Sequence, residues 1–254
     1  MSEPINPLVV DLSHWDPAEN YQDAASDGLE GVIYKATQGA GYSDPTYVAQ
    51  QKQAKAAGLL WGAYHFAEAT DVAAQAANFL EFAAPDPNEL FCLDWEDYGD
   101  NTMSVEQAEE WITRVEEALK RPQQCVIYSG NTAKDLLGSS RNGFFGKRRL
   151  WLAQYGASPV CQASWDDYWL WQYTDGVYGP QPQTFDGLDP AGVDVNSFQG
   201  DTSQLAAEWS GQRIPAPRPP RPHPPIEAAV LIEVTAPPGI VVKIARKPAR
   251  RRAD

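Results

Sequence analysis

The chain has 254 residues, of which 43% are hydrophobic, 21% charged and 11% aromatic, and its 20 Lys plus Arg stand against 34 Asp plus Glu for a net charge of −14. This is a globular composition, long enough to bury a sizeable core in one large domain or two small ones. The acidic balance is the wrong sign for a nucleic-acid binder, and no apolar run approaches the roughly 20 residues of a membrane helix, so nucleic acid and membrane insertion are set aside.

The charge is unevenly placed: residues 213–254 carry nine basic and three acidic residues, against 11 basic and 31 acidic in residues 1–212. An acidic body of 1–212 is therefore expected, followed by a spacer of 213–225 and a basic segment of 226–254. In the spacer, seven of the twelve residues from Ile214 to Pro225 are proline, which predicts an extended, semi-rigid run. Beyond it lie two short β-rich runs, Ala229–Thr235 and Ile240–Ile244, separated by Pro237-Pro238-Gly239. Two strands alone are marginal in water, so this C-terminal segment is expected to pack on something or to self-associate.

The N-terminal body alternates strand-like and helix-like stretches. Leu8–Ser13 comes first, then Gly31–Thr37, a helix over Asp44–Ala57 and a strand over Leu59–Ala67. An Ala-rich helix over Asp71–Ala83 leads to Leu90–Tyr98; Ser104–Leu119 opens on the capping-box pair Ser104 and Gln107. Cys125–Gly130, a short helix over Asn131–Leu137, and strands at Leu150–Tyr155, Tyr168–Tyr173 and Gly192–Phe198 follow, with a last helix over Thr202–Trp209. Strands alternating with helices predict parallel βαβ units. Eight strands and about five helices in this length predict an α/β fold, an irregular TIM-like (β/α) barrel. The three cysteines are an odd number; Cys92 and Cys125 lie in apolar runs and read as buried thiols. No Cys and His spacing suggests a metal site.

In a parallel barrel, chemistry sits where the strands end. The first strand ends with Asp11, the fourth with Asp94 and Glu96, and the eighth contributes Asp194. Residues two apart on a strand face the same side, so Asp94 and Glu96 share a face, as do Asp11 with Ser13 and Asp194 with Asn196. Crowded, partly buried carboxylates keep at least one proton near neutral pH. A proton donor beside ionised carboxylates is what glycosidic bond cleavage needs. Strand-end aspartates also cap helices and loops, so it is the set of four that carries the argument. Asp97 should point away, and Asp100 reads as loop acid.

Aromatics crowd the same strand ends: Tyr34, Tyr64, Trp95, Tyr128, Tyr155, Trp171 and Tyr173. Some are expected to stack on sugar rings and the rest to fill the core. His65 follows Tyr64 in a strand and reads as a satisfied core histidine facing the other way. His14, just past the first strand end, can reach the cleft.

Several stretches then carry a resemblance. They are Val10-Asp11-Leu12-Ser13-His14-Trp15, Gly31 to Gly39, Tyr42-Ser43-Asp44-Pro45, Ala57 to Phe66, Gln75 to Leu80, Leu93-Asp94-Trp95-Glu96 and Ile127-Tyr128-Ser129, then Leu150 to Gly156, Trp171-Gln172-Tyr173-Thr174 and Val193 to Phe198. In this order they resemble the glycoside hydrolase family 25 lysozymes, the Chalaropsis-type N-acetylmuramidases that include many phage endolysins. The resemblance implies an irregular β/α barrel without a cofactor, acting on bacterial peptidoglycan at the β-1,4 bond between N-acetylmuramic acid and N-acetylglucosamine. It implies that Glu96 is the general acid, that Asp94 steadies the 2-acetamido group, and that Asp11 and Asp194 are the other two active-site acids. Tyr34, Lys35, Tyr64, Tyr128, Trp171, Gln172 and Tyr173 are taken as candidate sugar-binding residues. Trp95 between the two acids should face out of the pocket.

A retaining, substrate-assisted mechanism is the preferred expectation; attack by Asp11 or Asp194, or an inverting route, stays open. The rival readings are a non-catalytic wall-binding or virion barrel, separable by a reducing-sugar assay, and a chitinase-like enzyme, which would cut plain chitin oligomers. Residues 1–7 lack the basic and apolar regions of a secretory signal. That predicts a lysin made in the host cytoplasm and released by a holin-type route.

Overall fold

A computed structural model describes residues 4–211. Nine strands form one sheet: β1 (Pro7–Leu12), β2 (Gly31–Gln38), β3 (Tyr42–Ser43), β4 (Leu60–Phe66), β5 (Leu90–Asp94), β6 (Val126–Ser129), β7 (Arg149–Ala153), β8 (Leu170–Asp175) and β9 (Asp194–Phe198). Eight of them close a barrel in the order β1, β2, β4, β5, β6, β7, β8, β9 and back to β1; β3 is a two-residue rim strand hydrogen-bonded to β2. The expected C-terminal spacer and β-rich segment lie outside the described residues.

One expectation needs correcting. The last barrel strand is not parallel to the rest: β9 pairs antiparallel with both β8 and β1. Asp194 therefore reaches the rim by opening its strand rather than by ending it. The register sets Asp11 opposite Asp194 on one side and Asp175 opposite Asp194 on the other. Across the turn from β8 to β9 the backbone closes tightly. Gly176 and Gly192 have φ of +79° and +119°, and a Cβ on Gly176 would stand 2.5 Å from the Gly192 carbonyl carbon, a separation only glycine tolerates.

Among the described residues six α-helices surround the barrel: α1 (Tyr21–Ser26), α2 (Tyr47–Ala56), α3 (Val72–Phe82), α4 (Val105–Leu119), α5 (Asn131–Leu137) and α6 (Thr202–Trp209). The additional one, α1, is six residues of mostly polar character whose start is fixed by the Asn20 side chain accepting from the amides of Gln22 and Asp23. Helix α2 begins later than expected because Asp44 caps the turn before it, accepting from the Thr46 amide at 2.9 Å and the Thr46 hydroxyl at 2.6 Å. The capping box at α4 forms as its sequence dictates, with Gln107 N–H donating to Ser104 Oγ at 3.3 Å and Ser104 N–H to Gln107 Oε1 at 2.9 Å.

Alternation along each strand divides the apolar residues into two layers. Val10, Leu12, Val32, Tyr34, Ala63, Leu93, Ile127 and Leu152 face outward into the layer beneath the helices. Val9, Ile33, Leu90, Cys92, Val126, Tyr128 and Trp151 fill the barrel interior, floored by Trp169, Phe198 and Trp209. Cys92 and Cys125 are buried thiols, as expected. His65 faces the helices: its ring is within hydrogen-bond distance of Thr37 Oγ1 (2.8 Å) and Gln75 Oε1 (3.2 Å) and stacks on Trp111. Burial holds its pKa down at about 4.

Candidate active site

The interior apolar layer stops below the rim, and the inward positions above it are polar. Asp11 on β1, Lys35 on β2, Tyr64 on β4, Asp94 and Glu96 at the end of β5, Tyr128 on β6, Gln172 on β8, and Asp194 and Asn196 on β9 continue the inward parity of Val9, Ile33, Cys92 and Val126. All four sequence-predicted acids thus meet at one mouth. Desolvation first, and then the charges of Asp94, Asp11, Asp16 and Asp194, push the Tyr64 phenol well above its ordinary pKa.

The acids fall into two pairs. In the first, Asp94 is buried and Glu96 is half-buried beside it. Burial raises both, most strongly Asp94, and its proximity to Glu96 raises Asp94 further, while Lys35 opposes the rise in each. The pair therefore holds one shared proton well above the ordinary carboxylate range. Asp94 Oδ1 is buried and has no hydrogen-bond partner among the described residues. Trp95 faces away as expected, fully buried, stacked on Phe145 at 5.1 Å and donating through Nε1 to the Met103 carbonyl at 2.7 Å. Its anchoring fixes the acids on either side of it. Asp97 is exposed and accepts from Gly99 N–H and Thr102 Oγ1.

In the second pair, Asp11 is cradled by donors. Gln172 Nε2 bonds both its oxygens at 3.0 and 2.8 Å, and Asn196 Nδ2 bonds Oδ1 at 2.7 Å. Each donor is itself held, Gln172 by the Tyr128 hydroxyl at 2.8 Å and Asn196 by the Trp151 indole N–H. Burial pushes Asp11 up to about 7 against these lowering bonds. Asp194 lacks that cradle and faces the charges of Asp11 and Asp16. Burial first, and those charges second, push it up to about 10. Of the two, Asp194 holds its proton more tightly than Asp11.

This proton has a consequence for stability. An ordinary aspartate titrates at 3.8, and Asp194 in the fold at about 10, so folding takes up a proton between those limits and the contribution to stability falls as pH rises through the window. Asp194→Asn is expected to lose that slope. Its thermal midpoint should exceed the wild-type value at about pH 8 and match it near pH 3, as differential scanning calorimetry at the two pH values would show. Equal midpoints at the higher pH would contradict the assignment.

The structure corrects three of the candidate sugar-binding residues. Tyr34, Trp171 and Tyr173 are fully buried and face outward beneath the helices. The Tyr34 hydroxyl donates to the Ser13 carbonyl at 2.6 Å, Trp171 Nε1 to the Gln154 carbonyl at 2.6 Å, and the Tyr173 hydroxyl to the Pro182 carbonyl. Each neighbours an inward residue on its strand, which forces it to the other face. Of the others, Lys35 and Tyr64 are half-buried on the inward face near the rim, whereas Tyr128 and Gln172 lie buried beneath it. Lys35 Nζ donates to Gln38 Oε1 at 2.7 Å and lies 4.8 Å from the centre of the Phe66 ring.

Residues that sequence reasoning did not place in the site are Asn196, which holds Asp11, Trp151, which holds Asn196, and Asp16. Asp16 accepts from the Ser13 amide and hydroxyl at 2.7 and 3.0 Å and projects its charge onto both Asp11 and Asp194. The parity of Asn196 with Asp194 was a legible signal; nothing local marks Asp16.

Against known proteins, residues 10–181 match the model of the glycosyl hydrolases family 25. The chain belongs to this family. A lysozyme from Streptomyces coelicolor superposes on the family 25 barrel with a TM-score of 0.67 at 30% identity, over 79% of this chain and 95% of that one. A muramidase from Acremonium alcalophilum gives 0.68 at 29% identity over 81% and 99%. Lysozyme M1 of Streptomyces globisporus is 29% identical over 216 residues, 78% of this chain and 69% of its own length. The family 25 chain is a glycoside hydrolase of the lysozyme kind, with peptidoglycan as its substrate class.

Proposed function

We propose that this family 25 barrel cleaves the β-1,4 bond between N-acetylmuramic acid and N-acetylglucosamine by a retaining route in which the substrate's own acetamido group is the nucleophile. The observation that carries the reading is the proton-sharing pair Asp94 and Glu96 at the mouth, with Asp94 Oδ1 buried and unpartnered. A buried acceptor without a donor is costly, and an acetamido N–H satisfies it. Asp94 accepts best when ionised, so docking of that N–H moves the shared proton to Glu96, the more open member of the pair.

Glu96 then protonates the glycosidic oxygen while the acetamido carbonyl oxygen bonds to the anomeric carbon and the C–O bond to the leaving sugar breaks. The positive oxazolinium faces the Asp94 carboxylate. Water next gives a proton to the Glu96 carboxylate and its oxygen to the anomeric carbon, which reopens the ring with the original configuration. Asp11, held by Gln172 and Asn196, and Asp194 border the same mouth and are assigned to binding and electrostatic support.

Mass spectrometry of digested murein is expected to give fragments with N-acetylmuramic acid at the new reducing end. NMR of the first-formed anomer should show the β form. Fragments ending in N-acetylglucosamine or cut in the peptide would sink the bond assignment, and an α product would sink the substrate-assisted route. The reading extends to a phage lysin that leaves the host cytoplasm by a holin-type route. Lysis of expressing cells only when a membrane hole-former is supplied would support that part, and lysis without one would count against it.

A further inference from the structure

The most exposed large apolar side chain of the described residues is Trp15, at 83%. It sits on the loop directly after β1, four residues beyond Asp11, and that loop is rigidly tied. Trp15 N–H donates to Ser13 Oγ at 3.2 Å, Ser13 is bonded twice to Asp16, and the His14 amide donates to the fully buried Asp44 at 3.0 Å. An indole on such a loop is displayed in a fixed place, and folding gains nothing from leaving it in water.

Its neighbours lead back to the acids. The His14 and Trp15 rings are 4.5 Å apart, His14 Nδ1 lies 3.0 Å from the Tyr42 hydroxyl and 2.9 Å from Asp44 Oδ2, and Lys35 Nζ is 5.7 Å from the centre of the Tyr42 ring. Lys35 in turn feels the charges of Asp94 and Glu96. A shelf of rings and polar groups therefore runs from Lys35, whose inward parity sets it at the same mouth as the acid pair, through Tyr42 and His14 to Trp15.

We propose that Trp15, backed by His14 and Tyr42, is a stacking site for a further N-acetylated hexose of the same glycan strand, beyond the two sugars whose bond is cut. The occupant follows from continuity: the shelf begins at the mouth, and a strand threaded through the mouth must pass over one side of the rim. The indole offers an apolar plane to the C–H face of a pyranose, and Tyr42 and His14 offer polar edges to its hydroxyls. The site makes the enzyme selective for long strands. This inference rests on the glycosidase reading above.

The test compares two substrates: long soluble glycan strands stripped of peptide, and the shortest oligosaccharide the wild type cuts. Trp15→Ala should raise KM on long strands by about 10-fold, the equivalent of one lost stacking contact, with kcat unchanged and the short substrate unaffected. Trp15→Phe, which keeps a ring, should recover most of the loss. An exposed residue is dispensable for folding, so an unchanged thermal midpoint is expected and separates the result from damage. Equal kinetics of wild type and Trp15→Ala on both substrates would overturn the shelf alone, whereas a wild type that cuts no glycan of any length would overturn the glycosidase reading. Loss of a self-associated form in sedimentation, with chain-length dependence intact, would assign Trp15 to a copy of this chain and also overturn the proposal.

Discussion

Glu96→Gln is expected to lower turnover on peptidoglycan by roughly 10²–10⁴-fold, the usual weight of a general acid–base group, while binding of the glycan survives. The amide keeps the size of the side chain but has no proton to give to the leaving oxygen and no basic oxygen to take one from water. Release of reducing ends measures the loss, and co-sedimentation with purified walls measures the binding. A variant that keeps turnover within a few-fold of wild type would remove Glu96 from the chemistry.

Asp94→Asn probes the same proton from the other side. In the wild type the last proton of the pair leaves against a neighbouring negative charge, which keeps it bound to higher pH. With a neutral amide at position 94, Glu96 ionises without that penalty. The proposed mechanism needs Glu96 in its protonated form, so the alkaline limb of kcat against pH should move to lower pH in the variant, together with a fall in kcat from the weaker support of the oxazolinium.

The largest stability effect is expected on the far side of the barrel wall. Glu116 on α4 and Arg148, just before β7, are both nearly inaccessible and meet in two bonds, Nε to Oε1 at 3.0 Å and Nη2 to Oε2 at 2.7 Å. Glu116 Oε1 also accepts from the Cys125 amide at 3.1 Å, and the guanidinium lies 3.7 Å from the centre of the Phe144 ring while donating to the Phe144 carbonyl. Arg148→Met would strand the Glu116 charge in the interior, at a cost of about 3–5 kcal/mol. For a domain of this size that is a fall in Tm of roughly 6–20 °C. The double replacement Arg148→Met with Glu116→Leu should regain most of it, because the pair's own desolvation is then also removed. A single variant that melts with the wild type would show that water reaches the pair.

How far the sequence revealed the molecule can be seen residue by residue. Each of the eight barrel strands was legible because apolar runs bounded by turn residues repeat along the body, and Ser104 with Gln107 marked the start of α4 correctly. The direction of β9 was not legible. Neither the link before β8, residues 154–169, nor the link before β9, residues 176–193, contains an α-helix, yet β8 is parallel to its predecessor and β9 antiparallel. Link composition therefore gave no handle on direction; only the pairing register did.

The site was legible to the extent that strand parity was applied. It placed Asp94 with Glu96 and separated Tyr64 from His65. Applied equally to Tyr34 beside Lys35 and to Trp171 and Tyr173 around Gln172, it would have removed the three rings that the structure buries under the helices. Asp16 acts through a loop, where no periodicity operates, and its influence on Asp11 and Asp194 is visible only once the loop is folded.

The reversed β9 also decides where the polypeptide enters and leaves the barrel. Because that strand runs down from the rim, it ends beside the start of β1: Asn6 donates its amide N–H to Ser197 Oγ at 3.0 Å and its side-chain N–H to the Gly200 carbonyl at 2.7 Å. Helix α6 then stays at the base, its terminal carbonyls gripped by Arg149 at the foot of β7. Both ends of the described barrel consequently emerge opposite the mouth at which the four acids meet. A resin tether or a fused protein joined at residue 4 or residue 211 would leave the opening unobstructed, and a circularly permuted chain could join those ends with a short bridge across the base.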